Sequence, residues 1–421
     1  MRHNPIWFKL NPRWVWLLLE GGRAFSTTIA FTIMLVYHVQ NVGLDPLQLI
    51  LVGTSLEVSV LLFEVPTGIV ADAYSRRLSI IIGLFIIGVG FIIEGLIPVF
   101  LFVALGEFIW GMGYTFTSGA TQAWLTDEIG EENAGAAFLS GAQASQIASV
   151  AGIIVSVVVA SWNIQAAILL GGLLHIVLGV VMLCVMPEDG YRPTPIERRE
   201  TFGHMVLTFK NGVRAIRSRP LAITLILITF CFAAQSESYD RLWTAHLLQN
   251  FTLPWVGEVS EVVWFGALNL IALLIGVIVT HLVRKRLNTE NPVAVARTLA
   301  VVTVVLVGLF IVLAQTSWVT LAIIAVMLIG PLRSLIEPLH ISLLNRGLDS
   351  SVRATVISMN GQTDAIGQIS GGPVMGAVGN VLGIRAAIMG GVLMLIPGVA
   401  LGVRAIRLAR GLPVGETSQE N

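Results

Sequence analysis

The chain has 421 residues and no net formal charge, with 55% hydrophobic and only 12% charged residues. A soluble domain carries about 25% charged residues, so the length does not resolve into two or three soluble domains. Apolar runs of about twenty residues recur from end to end, and each is long enough to cross a bilayer. The composition is that of a polytopic membrane protein.

The first residues, "MRHNPIWFKLNPRW", are polar and basic. No short apolar core with a small-residue cleavage site follows, so no cleavable signal peptide is expected. Spans are predicted at about 13–39, 47–71, 77–97, 99–126, 137–160 and 164–186. A polar, proline-bearing and basic segment, 187–220, comes next, and its second half has the character of an amphipathic surface helix. Six further spans are predicted at about 221–249, 259–283, 293–314, 318–345, 353–379 and 383–408. The expected organisation is therefore a six-helix bundle at 1–186, a linker at 187–220, and a second bundle at 221–421. Cys184 and Cys231 both fall in apolar runs and read as packing residues.

Lysine and arginine set the orientation. With a cytoplasmic N-terminus, the inside segments hold Arg2, Lys9 and Arg13, then Arg76 and Arg77, and then the basic residues of the linker. In the second half they hold Arg284, Lys285, Arg286, Arg297, Arg346, Arg353, Arg404, Arg407 and Arg410. Outside loops hold only Arg385, while Arg23, Arg241 and Arg333 fall within spans. Both termini are thus expected in the cytoplasm, in the inner (plasma) membrane. Trp7, Trp14, Trp16 and Trp124 are expected at the inner interface, and Trp162, Trp255 and Trp318 at the outer one.

The stretch "FEVPTGIVADAYSRRLSIIIG" joins spans 2 and 3 through a tight cytoplasmic turn. Its skeleton is Gly68, Asp72, Arg76 and Arg77. The same skeleton recurs after span 8 in "GVIVTHLVRKR", as Gly276, Thr280, Arg284 and Lys285. Equivalent placement in the two halves indicates an internal repeat, a feature of transporter folds.

With two six-span halves, a long middle loop and this G-x3-D-x3-R-R turn, the sequence resembles the major facilitator superfamily over nearly its whole length. The resemblance implies an all-α membrane fold of twelve transmembrane helices in two pseudo-symmetric six-helix bundles. It implies that Gly68 lets span 2 approach the other half. It also implies that Asp72 sits near the start of span 11, where a helix dipole favours an anion, and that Arg76 pairs with Asp127 as a latch. The alternative is that Arg76 and Arg77 only set topology. A second match is "NRGLDSSVRATVISM" before span 11, whose Gly367 and Gly371 share a face for close helix contact. Span 5 lacks the G-x-x-x-G-P-x-x-G-G run of many drug–proton antiporters. Glu107 stands four residues before Gly111, where those proteins often have Arg.

Ionisable residues inside a bilayer are functional candidates by default. The acids are Glu20, Glu57, Glu64, Glu94, Glu107, Glu237, Asp240, Glu337 and Asp364, and the bases are Arg23, Arg241 and Arg333. Glu20 and Arg23 share a helix face, either as a self-neutralising pair or as a contact for substrate at an inner gate. Glu57 lies near the midplane. Glu64, one turn above the latch, either senses protonation or bonds to backbone groups freed by Pro66. Glu107, Trp110 and Tyr114 present an acid and two aromatics on one face, either for an organic cation or as a packed stripe. Glu237 can pair with Arg241, and Arg333 with Glu337, each four apart. Asp240 is left without a local partner. Asp364 has no base on its own helix and can carry a proton near neutral pH, so Glu57 and Asp364 lead as proton sites. His175 and His340 read as structural.

No P-loop, H-E-x-x-H, paired C-x-x-C or G-x-S-x-G occurs, so neither ATP-driven export nor an enzyme is expected. No cofactor, metal or nucleic-acid partner is indicated. The function expected is secondary active transport by alternating access. Proton-coupled export of amphipathic or cationic organic compounds comes first, because acids outnumber bases in the spans and aromatics line span 4, and the sequence looks most like the drug and antibiotic exporters of the superfamily. The alternative is proton-coupled uptake of a small polar or anionic nutrient held by Arg23 and Arg333. A monomer in the lipid bilayer is expected.

Overall fold

In the computed structural model, described for residues 9–191, 213–214, 216–253, 260–346 and 350–412, long helices follow one another with short connections. Their order is α1 (Pro12–Tyr37), α2 (Pro46–Ala73), α3 (Arg76–Leu96), α4 (Phe100–Thr117), α5 (Ala120–Ile129), α6 (Glu131–Ala160) and α7 (Ile164–Val185). After the linker come α8 (Pro220–Asp240), α9 (Trp243–Asn250), α10 (Glu261–Arg286), α11 (Pro292–Gln315), α12 (Val319–Arg333), α13 (Ile336–Leu344), α14 (Ser350–Leu382) and α15 (Ile384–Ala409). The predicted surface helix of the linker falls largely on 192–212 and 215, outside the described residues, as do 347–349 of the turn before span 11.

Local chemistry starts these helices where the sequence has caps. Asp45 forms a capping box with Gln48 ahead of α2, with Pro46 at the first helical position. Ser75 caps α3 by accepting the Leu78 amide, and Asn291 caps α11 in the same way. The break between α4 and α5 falls at Ser118–Gly119, with Gly119 at φ 68°, a conformation glycine adopts without steric cost. One predicted span is thereby split into two helices.

Among the described residues, ten segments are long and apolar enough to cross a membrane, with α4–α5, α8–α9 and α12–α13 each acting as one. The remaining two long helices are α1, with 26 residues, and α14, with 33. Both carry ionisable groups in mid-helix, Glu20 and Arg23 in α1 and Asp364 in α14. The twelve predicted spans are therefore ten by length and apolarity, with α1 and α14 set apart by their polar content.

The chain divides into two compact units. The first is Met1–Glu200 with Trp255–Asn269, and the second is Thr201–Pro254 with Leu270–Asn421. In the first unit, helices meet through glycine. A Cβ on Gly113 would lie 2.7 Å from the Ile87 amide, and one on Gly90 would lie 2.8 Å from the Gly106 carbonyl, so α3 and α4 touch backbone to backbone. In the second unit, Gly367 and Gly371 meet α8, and a Cβ at Gly371 would lie 2.2 Å from the Ala234 carbonyl. The shared face predicted for these two glycines is where α14 packs.

Two of the tryptophans predicted at the inner interface are buried within the protein. Trp16 donates to the Ala137 carbonyl at 2.9 Å and Trp124 to the Pro187 carbonyl at 2.7 Å, and both are buried. Trp14, Trp162 and Trp318 are exposed. Trp7 and Trp255 lie outside the described residues. Glu94 is buried against His38, Nε2 to Oε1 at 2.5 Å, at the point where α1 passes into a π-helical turn, His38–Val42.

Candidate functional site

In the first unit the α2–α3 turn is tied down from three sides. Arg76 donates to Asp127 on α5 and lies 3.7 Å from Asp72 on its own turn. The Arg77 guanidinium donates to the Leu183 carbonyl at 2.7 Å. The start of the linker closes over this turn. Glu188 accepts from the Ser75 hydroxyl at 2.7 Å and from the Arg77 amide at 2.9 Å. The Gly190 amide donates to Glu128 at 2.7 Å, and the Tyr191 hydroxyl donates to the Asp72 carbonyl at 2.8 Å. Lys9 pairs with Asp189 at 2.8 Å. The sequence reading found the Arg76–Asp127 pair but missed this strap, because its acids stand in a polar linker that carries no periodic signal.

The polar residues of the first six spans fare differently from one another. Arg23 pairs with Glu20 at 3.1 Å, half-buried. Glu64 accepts from Ser118 at 3.5 Å, and Glu57 is half-buried. Glu107 is buried, whereas Tyr114 on the same helix is exposed. Trp110 stacks on Tyr114 with centroids 5.6 Å apart and 9° between planes, and meets Phe31 edge-on at 5.5 Å. Trp110 is thus packed between other rings, while Tyr114 keeps an exposed side. At Gly68 no described atom would lie within 4 Å of a Cβ.

The second unit holds a cavity of about 370 Å³ between α8, α12, α13 and α14. Its charged wall is Asp240, Arg333, Glu337 and Asp364. Arg333 grips Asp240 with both terminal nitrogens, the second at 2.8 Å from Oδ2, and its guanidinium lies over the Tyr239 ring at 5.5 Å. This corrects the expected Arg333–Glu337 pair. With Pro331 near its end, α12 stops at Arg333, so the two residues are not four apart on one helix. Glu337 instead opens α13, where the exposed amides of a helix start favour an acid. Asp240, expected to lack a partner, is the residue that Arg333 finds. Glu237 lies 3.5 Å from Arg241, as its spacing allows.

The same cavity also holds a hydrogen-bonded cluster. Thr229 donates to Asn360 Oδ1 at 2.8 Å, and His340 Nε2 lies 3.2 Å from the same oxygen. Gln368 donates to Asp364 at 2.8 Å. Asp364 is within electrostatic reach of Arg333, Glu337 and Asp240. His340, read as structural, lines the cavity. Thr229, Asn360 and Gln368 were missed, since single polar residues on separate helices have no shared spacing to betray them. The leading sequence candidates are not all in one place: Glu57, Glu64 and Glu107 belong to the first unit, and Asp364, Asp240 and Arg333 to the second. Among the described residues, no group of three or more histidine, cysteine, aspartate or glutamate side chains is placed to hold a metal ion.

The sequence is 23% identical over 377 residues to an uncharacterised MFS-type transporter, YxaM, of Bacillus subtilis (strain 168), covering 89% of this chain and 91% of the relative. Its fold resembles that of a variant of the nucleoside transporter NupG, with a TM-score of 0.75 at 14% identity, over 94% of this chain and all of the other. It also resembles a POT family transporter in complex with 5-aminolevulinic acid, with a TM-score of 0.73 at 14% identity, over 94% and 96% of the two chains. The sequence pattern of the Major Facilitator Superfamily matches residues 17–361. With its long apolar helices, the chain is an integral membrane protein, a transporter belonging to the Major Facilitator Superfamily.

Proposed function

We propose that this transporter works by alternating access and exchanges protons for a small amphipathic organic cation, which it exports. The observation that carries this reading is the charge balance of the second-unit cavity. Asp240, Glu337 and Asp364 face one guanidinium, Arg333, and that guanidinium is already held by Asp240. Two carboxyl groups remain for a proton or a cationic solute. Burying a charge without a partner is costly, so such groups bind a cation or a proton. Ile228, Phe232, Ile336 and Ile341 give the cavity an apolar side, while Thr229, Asn360 and His340 give it hydrogen-bonding capacity. An apolar body with a charged nitrogen matches both.

Asp364 is the proposed proton carrier, because it borders the cavity and shares its field with Arg333. Protonation there lowers the negative charge that holds the solute, which ties solute release to proton uptake. The membrane is taken to be the cytoplasmic one and the chain a monomer, with both termini on the cytoplasmic side, a placement that the distribution of Lys and Arg supports. The reading in which Arg23 and Arg333 hold an anionic nutrient is weaker. Each guanidinium is engaged by a carboxylate, and an anion would have to displace Glu20 or Asp240.

The test uses purified protein in liposomes with a pH dye trapped inside. Amphipathic cations are added first, then neutral antibiotics, sugars and organic anions. Proton movement driven by cations supports the reading. A response confined to sugars or anions overturns it in favour of symport.

A further inference from the structure

A second concave surface of the second unit has no part in the cavity just described. It is an open groove of about 790 Å³ formed by the end of α11, the last turns of α14 and the first turns of α15. Met375, Val378 and Leu382 on α14 recur at intervals of three and four residues, so they form one helical face. Facing them on α15 are Met389, Leu393 and Met394. Gly390 keeps the floor low, since a Cβ there would lie 2.4 Å from the Met375 sulfur. Leu382 and Leu393 are 70% and 63% exposed. Three methionines give the groove an adaptable lining.

At one end stands a charge. Arg385, in the first turn of α15, lines the groove beside Gln315 and lies over the Phe251 ring at 5.6 Å. Among the described residues, no carboxylate is within ion-pair distance of it. By contrast, each of the three arginines within spans is beside an acid, Arg23 at Glu20, Arg241 at Glu237 and Arg333 at Asp240. Arg385 is also the one basic residue that the orientation reading puts in an outside loop. Exposed Trp318, three residues beyond Gln315, marks the same end as interfacial in depth. From Arg385 to Met394 the groove runs roughly 13 Å along the helix at 1.5 Å per residue. It is therefore an apolar channel reaching into the bilayer, with a guanidinium at its mouth at headgroup level.

We propose that this groove binds one acidic phospholipid from the leaflet opposite the cytoplasm, with the acyl chain along α14 and α15 and the phosphate on Arg385. A neutral detergent-like or zwitterionic lipid would fill the channel equally well but would leave the guanidinium to a phosphate already paired with its own ammonium. An acidic headgroup offers the unpaired anion, and a planar guanidinium binds it bidentately. The inference stands apart from the proposed substrate, because none of the cavity residues takes part.

The experiment is photolabelling of the full chain in lipid nanodiscs by phosphatidylglycerol or phosphatidylcholine carrying a diazirine in one acyl chain, followed by peptide mass mapping. The expected result is labelling of the peptide spanning Met375–Met394, with phosphatidylglycerol preferred. Arg385→Gln should lower that preference about fivefold, the factor that one basic residue near a membrane surface supplies. Arg385→Lys should keep most of it. Gly390→Leu should fill the channel and remove labelling while Arg385 is intact. Equal labelling by the two lipids in the unaltered protein would overturn the proposal and make the groove ordinary bilayer contact. So would an unchanged preference in Arg385→Gln. Displacement of the lipid label by a transported cation would also overturn it, by making the groove an entry port for solute.

Discussion

Arg333 holds Asp240, which is 93 residues away in sequence, rather than Glu337, which is four away. The pair joins the end of α8 to the end of α12 and fixes one wall of the second-unit cavity. Arg333→Leu should therefore both loosen the wall and leave Asp240 without its partner. Asp240 is 41% exposed, so the cost is set well below the 3–5 kcal/mol of a fully buried broken pair. About 1–2 kcal/mol is expected, read as a drop of a few degrees in thermal unfolding of the purified protein. Glu337→Gln should leave that unfolding temperature nearly unchanged. Equal losses in the two variants would restore the pairing that the sequence spacing suggested.

The Thr229–Asn360–His340 cluster makes a separate prediction about binding. His340 is 4% exposed, and its Nε2 has Asn360 and Thr229 as neighbours. Asn360→Leu removes the shared acceptor and leaves buried polar groups unsatisfied, at about 1–3 kcal/mol. If the cluster faces solute, the apparent KM for transport should rise in this variant and in the milder Thr229→Val. An unaltered KM with a lower unfolding temperature would make the cluster purely structural.

If the Arg76–Asp127 contact acts as a latch, the two residues should be non-additive. Arg76→Gln and Asp127→Asn should each slow transport, and the double variant should be no slower than the worse single one, because both remove the same contact. Losses that add would show that the two residues act separately and that Arg76 only sets topology.

The strap from the linker predicts a stability effect at a distance from the cavity. Glu188 accepts from the first turn of α3 and from its cap residue, Ser75. Glu188→Ala should cost about 1 kcal/mol, the usual worth of a helix N-terminal cap. Gly190 is more demanding, since a Cβ there would fall 2.1 Å from the Asp127 carbonyl. Gly190→Val should push the strap off α5 and lower the unfolding temperature by more than Glu188→Ala does. Matching unfolding temperatures in both variants and the parent would mean that the strap holds nothing together.

How much of this was legible in the sequence follows from the range of each signal. Spans are local and repeat an apolar run, so nearly every long helix was predicted within a few residues. Arg76 and Asp127 were paired because a recognisable turn motif named one partner and a helix end placed the other. Breaks inside a span are weaker signals. Ser118–Gly119 and Pro331–Ser334 each end a helix within an apolar run, and the second break invalidated the i,i+4 pairing of Arg333 with Glu337. Trp16 and Trp124 sit near span ends, as interfacial residues do, and only the fold shows them turned inward to carbonyl partners. The cavity itself joins α8, α12, α13 and α14, and no sequence pattern connects Thr229, Asn360 and Gln368. What remains legible is the excess of acids over bases in the spans, and it reappears as the charge balance of that cavity.

The central claim is that Asp364 couples protons to the solute that the cavity binds. The most direct measurement compares Asp364→Asn with the parent protein in liposomes, for a cation that the parent exchanges for protons. Two fluxes are read: proton-driven accumulation of the cation, and exchange of labelled for unlabelled cation without a pH gradient. Loss of the first with retention of the second is predicted, because the cavity persists but its proton carrier is gone. Undiminished proton-driven accumulation in Asp364→Asn would contradict the account.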